Sequence, residues 1–238
     1  MKRLTIIVLV FILFCGSNIN GMERFPSSII PNIPVIQLEP TKLTTFDQYK
    51  KQDLADQKKY HGIWSTINTI NLDSLKIALE VSSTLGSSYS KSNLFDKKIE
   101  TAWVEGAKDD GIGEWIKVQL DATLESPTST PFSIYQVGVI PGYSKNQKTW
   151  IENNRVKSVL IVIQSPSGFP RENECVVFRL KLKDLNKLQI FDIPVKKVAG
   201  NYLPMTKTVW FKIEEVYKGT KFEDTCISEI VLMGACSS

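Results

Sequence analysis

The sequence predicts an all-β protein, a sandwich or jelly roll, and three observations carry that reading. From about residue 77 the chain breaks into seven short runs: Trp115–Leu120, Ile134–Ile140, Val156–Ile163, Val176–Leu182, Leu188–Ile193, Val209–Val216 and Ile227–Met233. Alternation with a period of two, enrichment in β-branched residues and bounding turn residues make these strands. No segment with a helical period lies between them, which favours a sandwich over a parallel α/β sheet. The 238 residues also suit one sizeable domain with a tail better than two full domains.

The alternation assigns faces. In Ile134–Ile140, Tyr135, Val137 and Val139 are expected on one face, with Ile134, Gln136, Gly138 and Ile140 on the other. In Val209–Val216, Val209, Phe211 and Ile213 alternate with Trp210, Lys212 and Glu214. Ser126-Pro127-Thr128-Ser129-Thr130-Pro131, Pro141-Gly142 and Ser167-Gly168 punctuate the runs as turns.

Ahead of the strands the chain reads differently. Lys2 and Arg3 precede a nearly unbroken apolar run of eleven residues, Leu4–Phe14, followed by Cys15-Gly16-Ser17. A basic start and an apolar core too short to span a membrane comfortably predict an export signal over residues 1–21. Two endings compete: cleavage near Asn20-Gly21, or lipidation at Cys15, against which the bulky Phe14 counts. Residues 22–76 follow as a tether with Pro26, Pro31, Pro34 and Pro40, then a helix capped by Thr44 or Thr45 and running to about Tyr60, where His61-Gly62 ends it. Residues 77–238 form the jelly-roll domain.

Composition excludes several functions. The chain is 42% hydrophobic and 23% charged, which rules out a collagen-like or wholly disordered protein. His61 is the single histidine, so no multi-histidine metal centre can form. The net charge of +4 falls to about +2 once Lys2 and Arg3 leave with the signal, too weak for a nucleic-acid footprint. Export permits one disulfide among Cys175, Cys226 and Cys236, with Cys236 tying the tail to Cys175 or Cys226.

A sugar site needs rings against apolar sugar faces, with amides and charges fixing hydroxyls. Residues 142–155 offer Tyr143, Lys145, Trp150, Asn153 and Asn154. Glu172-Asn173-Glu174 has the spacing of some NAD-dependent ADP-ribosylating enzymes, but it follows a turn cluster and no Gly-rich nucleotide turn precedes it.

Ordered blocks extend the reading: Ser82-Ser83-Thr84-Leu85, Tyr89 to Asp96, Glu100-Thr101-Ala102-Trp103-Val104-Glu105-Gly106, Gly111 to Ile116, Gly142-Tyr143-Ser144-Lys145, Asn153-Asn154-Arg155 and Val216 to Ile230. Over about residues 77–235 the chain resembles the discoidin-like (coagulation-factor type C, galactose-binding-like) jelly rolls. It is most similar to the translocation or glycan-binding domain of secreted bacterial NAD glycohydrolases. In the toxins it resembles, that domain is the non-catalytic part.

The resemblance implies a structural calcium held by Asp96, Thr101 and Glu229, hard oxygen ligands of the kind that cation takes. Lys97-Lys98 departs from the family's small and acidic residues at that point and sets two ammonium groups beside the site. It also brings Glu105 and Asp109 near the sugar loop as acceptors, and makes Tyr143 and Arg155 framework residues, leaving Trp150 the stronger ligand candidate. The expectation is an exported, non-catalytic glycan-binding jelly roll, secreted or lipid-anchored at the bacterial envelope, with a surface glycan or glycoprotein as partner. The alternatives are an adhesin-like protein that docks protein, a structural envelope lipoprotein and, further off, a NAD glycohydrolase.

Overall fold

The computed structural model describes residues 25–27, 33–52, 68–69, 77–120, 132–165, 175–194 and 206–236. Cys15 and the expected export signal, His61, and Glu172 with Glu174 lie outside them. No helix among the described residues is long and apolar enough to cross a membrane.

All seven expected strands form: β6 (Trp115–Leu120), β7 (Phe132–Pro141), β8 (Asn154–Gln164), β9 (Cys175–Lys181), β10 (Leu188–Asp192), β11 (Thr208–Tyr217) and β12 (Thr225–Cys236). Five short strands join them: β1 (Val35–Leu38), β2 (Lys42–Thr44), β3 (Asn68–Thr69), β4 (Ile77–Val81) and β5 (Trp103–Val104). They form one hydrogen-bonded sheet in the order β2-β10-β7-β12-β8-β11-β6-β4, with β1 and β9 beyond β8.

The sheet folds into two layers where β12 meets β8. Those strands pair in parallel only at Thr225 with Asn154 and Cys226 with Arg155, then diverge into opposite layers. Between the layers, Ile116 and Val118 of β6, Val137 and Val139 of β7, Val159 and Ile161 of β8, Phe178 of β9, Phe211 of β11 and Ile230 of β12 share one buried cluster. The fold is the expected β-sandwich.

The faces of β11 follow the alternation: Val209, Phe211 and Ile213 enter the core while Trp210 points outward. In β7 the expectation is corrected. The register slips where Met233 faces Gln136 and Gly234 faces Ile134, leaving Tyr135 opposite no single residue. The extra residue reverses the parity. Ile134 therefore joins Val137 and Val139 in the core, and Tyr135 packs outside against Phe46 and Ile140.

The tether is also corrected. Residues 33–44 are built into the sandwich: β1 pairs in parallel with β9, and β2 pairs antiparallel with β10 in the other layer. Ile36 and Leu38 reach the central core, whereas Phe25 and Val35 cover the outer face around Trp210. Prolines beside so short a strand did not prevent pairing, because an edge strand needs donors on one side only.

A helix, α1 (46–52), follows. Thr45 Oγ1 accepts the Gln48 N–H at 3.2 Å, and Gln48 Oε1 accepts the Thr45 N–H at 3.2 Å, so Thr45 is the cap. The remainder of the helix expected to Tyr60 lies outside the described residues.

Geometry also narrows the disulfide. Cys226 and Cys236 lie on one extended strand, roughly 30 Å apart at the rise of a β-strand, far beyond the ~7 Å Cα reach of a disulfide. The Cys226 thiol is buried against Val104 and Ala102, and burial raises its pKa. The side chain of Cys236 lies outside the described residues.

Candidate functional site

One pole of the sandwich gathers the blocks that carry the resemblance. There β4, β5, β7 and β11 end and β6, β8 and β12 begin, so residues 82–102, 105–114, 142–153 and 218–224 converge. Each connection is held by polar contacts. Glu105 is fully buried; its Oε2 accepts the Ala107 N–H at 2.7 Å and its Oε1 the Thr225 N–H at 3.0 Å. Burial raises the pKa of this carboxyl, opposed by those two bonds. Gly111, at φ +70°, lies against it, and a Cβ there would sit 2.6 Å from Glu105 Cγ. Ser82 and Ser83 both donate to Glu114, closing the turn before β6.

The loop from β7 to β8 contains a short helix, α2 (Gln147–Glu152), whose capping box pairs Asn146 with Thr149. Trp150, expected to face a ligand, is only 8% exposed. Its Nε1 donates to the Pro141 carbonyl at 3.2 Å, and the Arg155 guanidinium covers its ring at 4.7 Å. Arg155 is fixed in turn by Asp184 at 2.8 and 3.0 Å and by the carbonyls of Asn153 and Lys218. Gly142, at φ +78°, admits this stack, since a Cβ there would overlap Arg155 Cγ.

Asn154 is likewise internal: it donates to the Glu223 carbonyl and accepts the Gly219 N–H at 2.7 Å. The expectation that Trp150, Asn154 and Glu105 meet a ligand is corrected, because internal bonds or rings occupy all three. Arg155 is the framework residue the resemblance implied.

What the pole presents outward is a smaller set. Tyr143 is half-buried and meets the half-buried Tyr89 edge to face, centroids 6.2 Å apart. Burial raises the Tyr143 pKa, and the Tyr89 hydroxyl adds to the shift. Lys145 and Asp109 are exposed, and Asn153 is half-buried with its amide on the Thr149 carbonyl at 2.8 Å. Asn93, beside Tyr89 on the 3-10 turns Ser87–Tyr89 and Lys91–Phe95, donates to the carbonyls of Ser88 and Ala102. The sequence reading missed Tyr89 as a candidate. Its signal is a lone aromatic ring in the otherwise polar Ser87-Ser88-Tyr89-Ser90.

Asp96, Thr101 and Glu229 come together on the outer side of the β7–β12 layer. Asp96 Oδ2 accepts the Thr101 hydroxyl at 2.7 Å, and Oδ1 accepts the Lys98 N–H at 2.9 Å. Glu229 is 2% exposed, and its Oε2 has no hydrogen-bond partner. Burial, with the Asp96 charge second, pushes its carboxyl up to about 9, and the Lys97 N–H pulls the other way. Lys97 takes φ 62° to offer that N–H.

An orphaned buried carboxylate oxygen beside a second carboxylate and a hydroxyl fits a hard cation. Among the described residues no three His, Cys, Asp or Glu side chains gather as a metal group, so further ligands would be backbone carbonyls.

Comparison with known proteins places this geometry in context. The CBM32-1 and CBM32-2 domains of Clostridium perfringens ZmpB in complex with GalNAc align with TM-score 0.51 and 10% identity, covering 87% of this chain and 42% of that one. The same domains without that sugar give TM-score 0.50 and 10% identity over 87% of this chain and 44% of theirs. This chain therefore spans less than half of those fragments. A putative chitobiase fragment from Bacteroides thetaiotaomicron aligns with TM-score 0.51 and 8% identity, over 74% of this chain and 97% of that one. At such identities the likeness speaks to the fold. No curated protein sequence matches the chain. Residues 68–233, well over half of the protein, match the NAD glycohydrolase translocation F5/8 type C domain, and the chain belongs to that family.

Proposed function

We propose that this protein is an exported, non-catalytic glycan-binding module whose ligand meets the loop pole around Tyr89 and Tyr143. The observation that carries this reading is that ring pair: two partly exposed aromatic faces on loops that internal bonds hold rigid. Aromatic faces take the apolar side of a pyranose, and prior rigidity lowers the ordering cost of binding. Lys145, Asp109 and Asn153 supply polar contacts at the rim. The GalNAc complex of the similarly folded ZmpB domains supports a sugar as the ligand class. Asp96, Thr101 and Glu229 would hold a structural calcium, which would supply charge neutralisation there and pin the loop beneath Tyr89.

A second reading has its own observation. Leu85 and Ile112 are 48% and 50% exposed on the same pole, with Ile151 and Phe222 also exposed there. Aliphatic side chains on loops suit a protein partner better than a sugar. A surface-glycan array probed with the full exported chain, with calcium and with chelator, separates the two. Retention of defined sugars supports the glycan reading. Silence on every glycan from a folded protein overturns it in favour of a protein-docking or structural envelope role. Palmitate labelling abolished by Cys15→Ala would establish the lipid anchor, and absence of label in the parent would reject it.

A further inference from the structure

The loop pole is divided by charge. Tyr89 and Tyr143 meet with ring centroids 6.2 Å apart. The two segments that carry them, residues 82–95 and 141–151, contain Lys91, Lys145 and Lys148 and no aspartate or glutamate. The other two segments of the pole, residues 105–114 and 218–224, set six carboxylates against three lysines. In that acidic half Lys218 pairs with Asp110 at 2.7 Å. Lys91, Lys145 and Lys148 are all exposed, and none of them makes an ion pair among the described residues. The acids bordering the two tyrosine segments are tied back. Asp96 holds the Thr101 hydroxyl and the Lys98 N–H. Glu152 ends α2 on the side of the 218–224 loop, its carbonyl accepting the Lys221 and Phe222 N–H groups at 3.1 and 2.9 Å. Across the pole, Asp109 accepts the Gly111 N–H at 3.1 Å.

Lys91 follows Tyr89 by two residues, and Lys145 follows Tyr143 by two. Two residues span at most about 7 Å, so each lysine is rooted beside its ring and carries its ammonium on a four-carbon stem. Both roots are pinned. The Asn93 N–H bonds the Ser90 carbonyl at 3.0 Å across Lys91, and the Thr149 hydroxyl bonds the Tyr143 carbonyl at 3.1 Å across Lys145. A neutral sugar on the rings gives these ammonium groups no opposite charge. An anionic sugar gains charge-assisted hydrogen bonds and is drawn to the basic half of the pole. Resting on the glycan reading above, we propose that the Tyr89–Tyr143 corner selects an anionic sugar, one bearing a carboxylate or a sulfate ester. Lys91 and Lys145 take the anionic group, and Lys148 adds to the field.

The test is an array of matched sugars: galactose, glucose and their N-acetylamino forms, each displayed neutral, as the uronate and as the 6-sulfate. The full chain and the Lys91→Gln, Lys145→Gln double variant are compared at low and at high salt, and circular dichroism confirms that both are folded. Both lysines are exposed, so the parent should retain an anionic form about three- to tenfold better than its neutral match at low salt. Screening should narrow that preference at high salt. The double variant should lose the preference while holding neutral sugars as the parent does. Equal retention of neutral and anionic forms by the parent overturns the proposal and leaves the glycan reading intact, as does a preference that survives in the double variant. Silence of the folded parent on every sugar overturns the glycan reading and the proposal together.

Discussion

Tyr143 and Trp150 stand on one loop and answer to different constraints. Trp150 is enclosed by Arg155, the Pro141 carbonyl and the absent side chain of Gly142. Trp150→Ala should cost about 3–5 kcal/mol and strongly lower the thermal midpoint. Tyr143→Ala should cost about 1 kcal/mol, because the ring is half-exposed and leaves little void. The comparison is one of chemical denaturation for both variants. From sequence alone, an aromatic ring in a loop at Trp150 reads as a ligand face. Its burial follows from Arg155, which Asp184 and the Lys218 carbonyl, both far along the chain, hold over the ring. Asn154 and Glu105 mislead for the same reason: their partners Gly219 and Thr225 are far along the chain. Asp96, Thr101 and Glu229 were legible only as blocks of a family resemblance, since Glu229 stands far from the other two in sequence.

At the scale of elements, the strands of six residues or more, and β10 with five, announced themselves through alternation, and the other short ones did not. β1, β2, β3 and β5 have four residues or fewer, too few for a period to show. β7 misassigned one face because a bulge at Tyr135 breaks the period it otherwise keeps. The α1 cap was narrowed to two threonines, and Thr45 is the one whose hydroxyl accepts the N–H three residues on. Thr45→Ala should lower stability by about 1 kcal/mol, measured by denaturant unfolding.

Cross-strand charges on the outer face of β11 give a pH prediction. Glu214 accepts from Arg179 on β9, and Glu215 pairs with Lys181 on β9 and Lys157 on β8. Bonds from Lys181 and then Lys157 hold the Glu215 carboxyl down to about 2, from an ordinary 4.5. A carboxylate depressed in the folded state stabilises fully above about pH 4.5, and the gain disappears as pH falls toward 2. The thermal midpoint should therefore drop over that window, and less steeply in Glu215→Gln. The group is well exposed, so the difference should be modest.

For the whole molecule, the N-terminal segment matters more than its composition promised. Residues 25–27 and 33–49 contribute Ile36 and Leu38 to the central core, Phe25 to the outer cluster around Trp210, and Phe46 to the cluster under β12. The same stretch pairs β1 on one layer and β2 on the other, closing both edges beside β9 and β10. A chain beginning at residue 77 leaves both edges unpaired and two apolar faces open. It should unfold at lower denaturant than the chain beginning at residue 22, and should bind a hydrophobic dye or self-associate. Equal midpoints for the two would show that the jelly roll does not need its clasp.

The proposed function turns on a rigid loop pole that presents Tyr89 and Tyr143 to a sugar. Its most direct test is the surface-glycan array run in parallel with the parent chain and with the Tyr89→Ala, Tyr143→Ala double variant, both shown folded by circular dichroism. The parent should retain defined glycans, and the variant should lose at least tenfold of that retention. Undiminished retention by the double variant would contradict it.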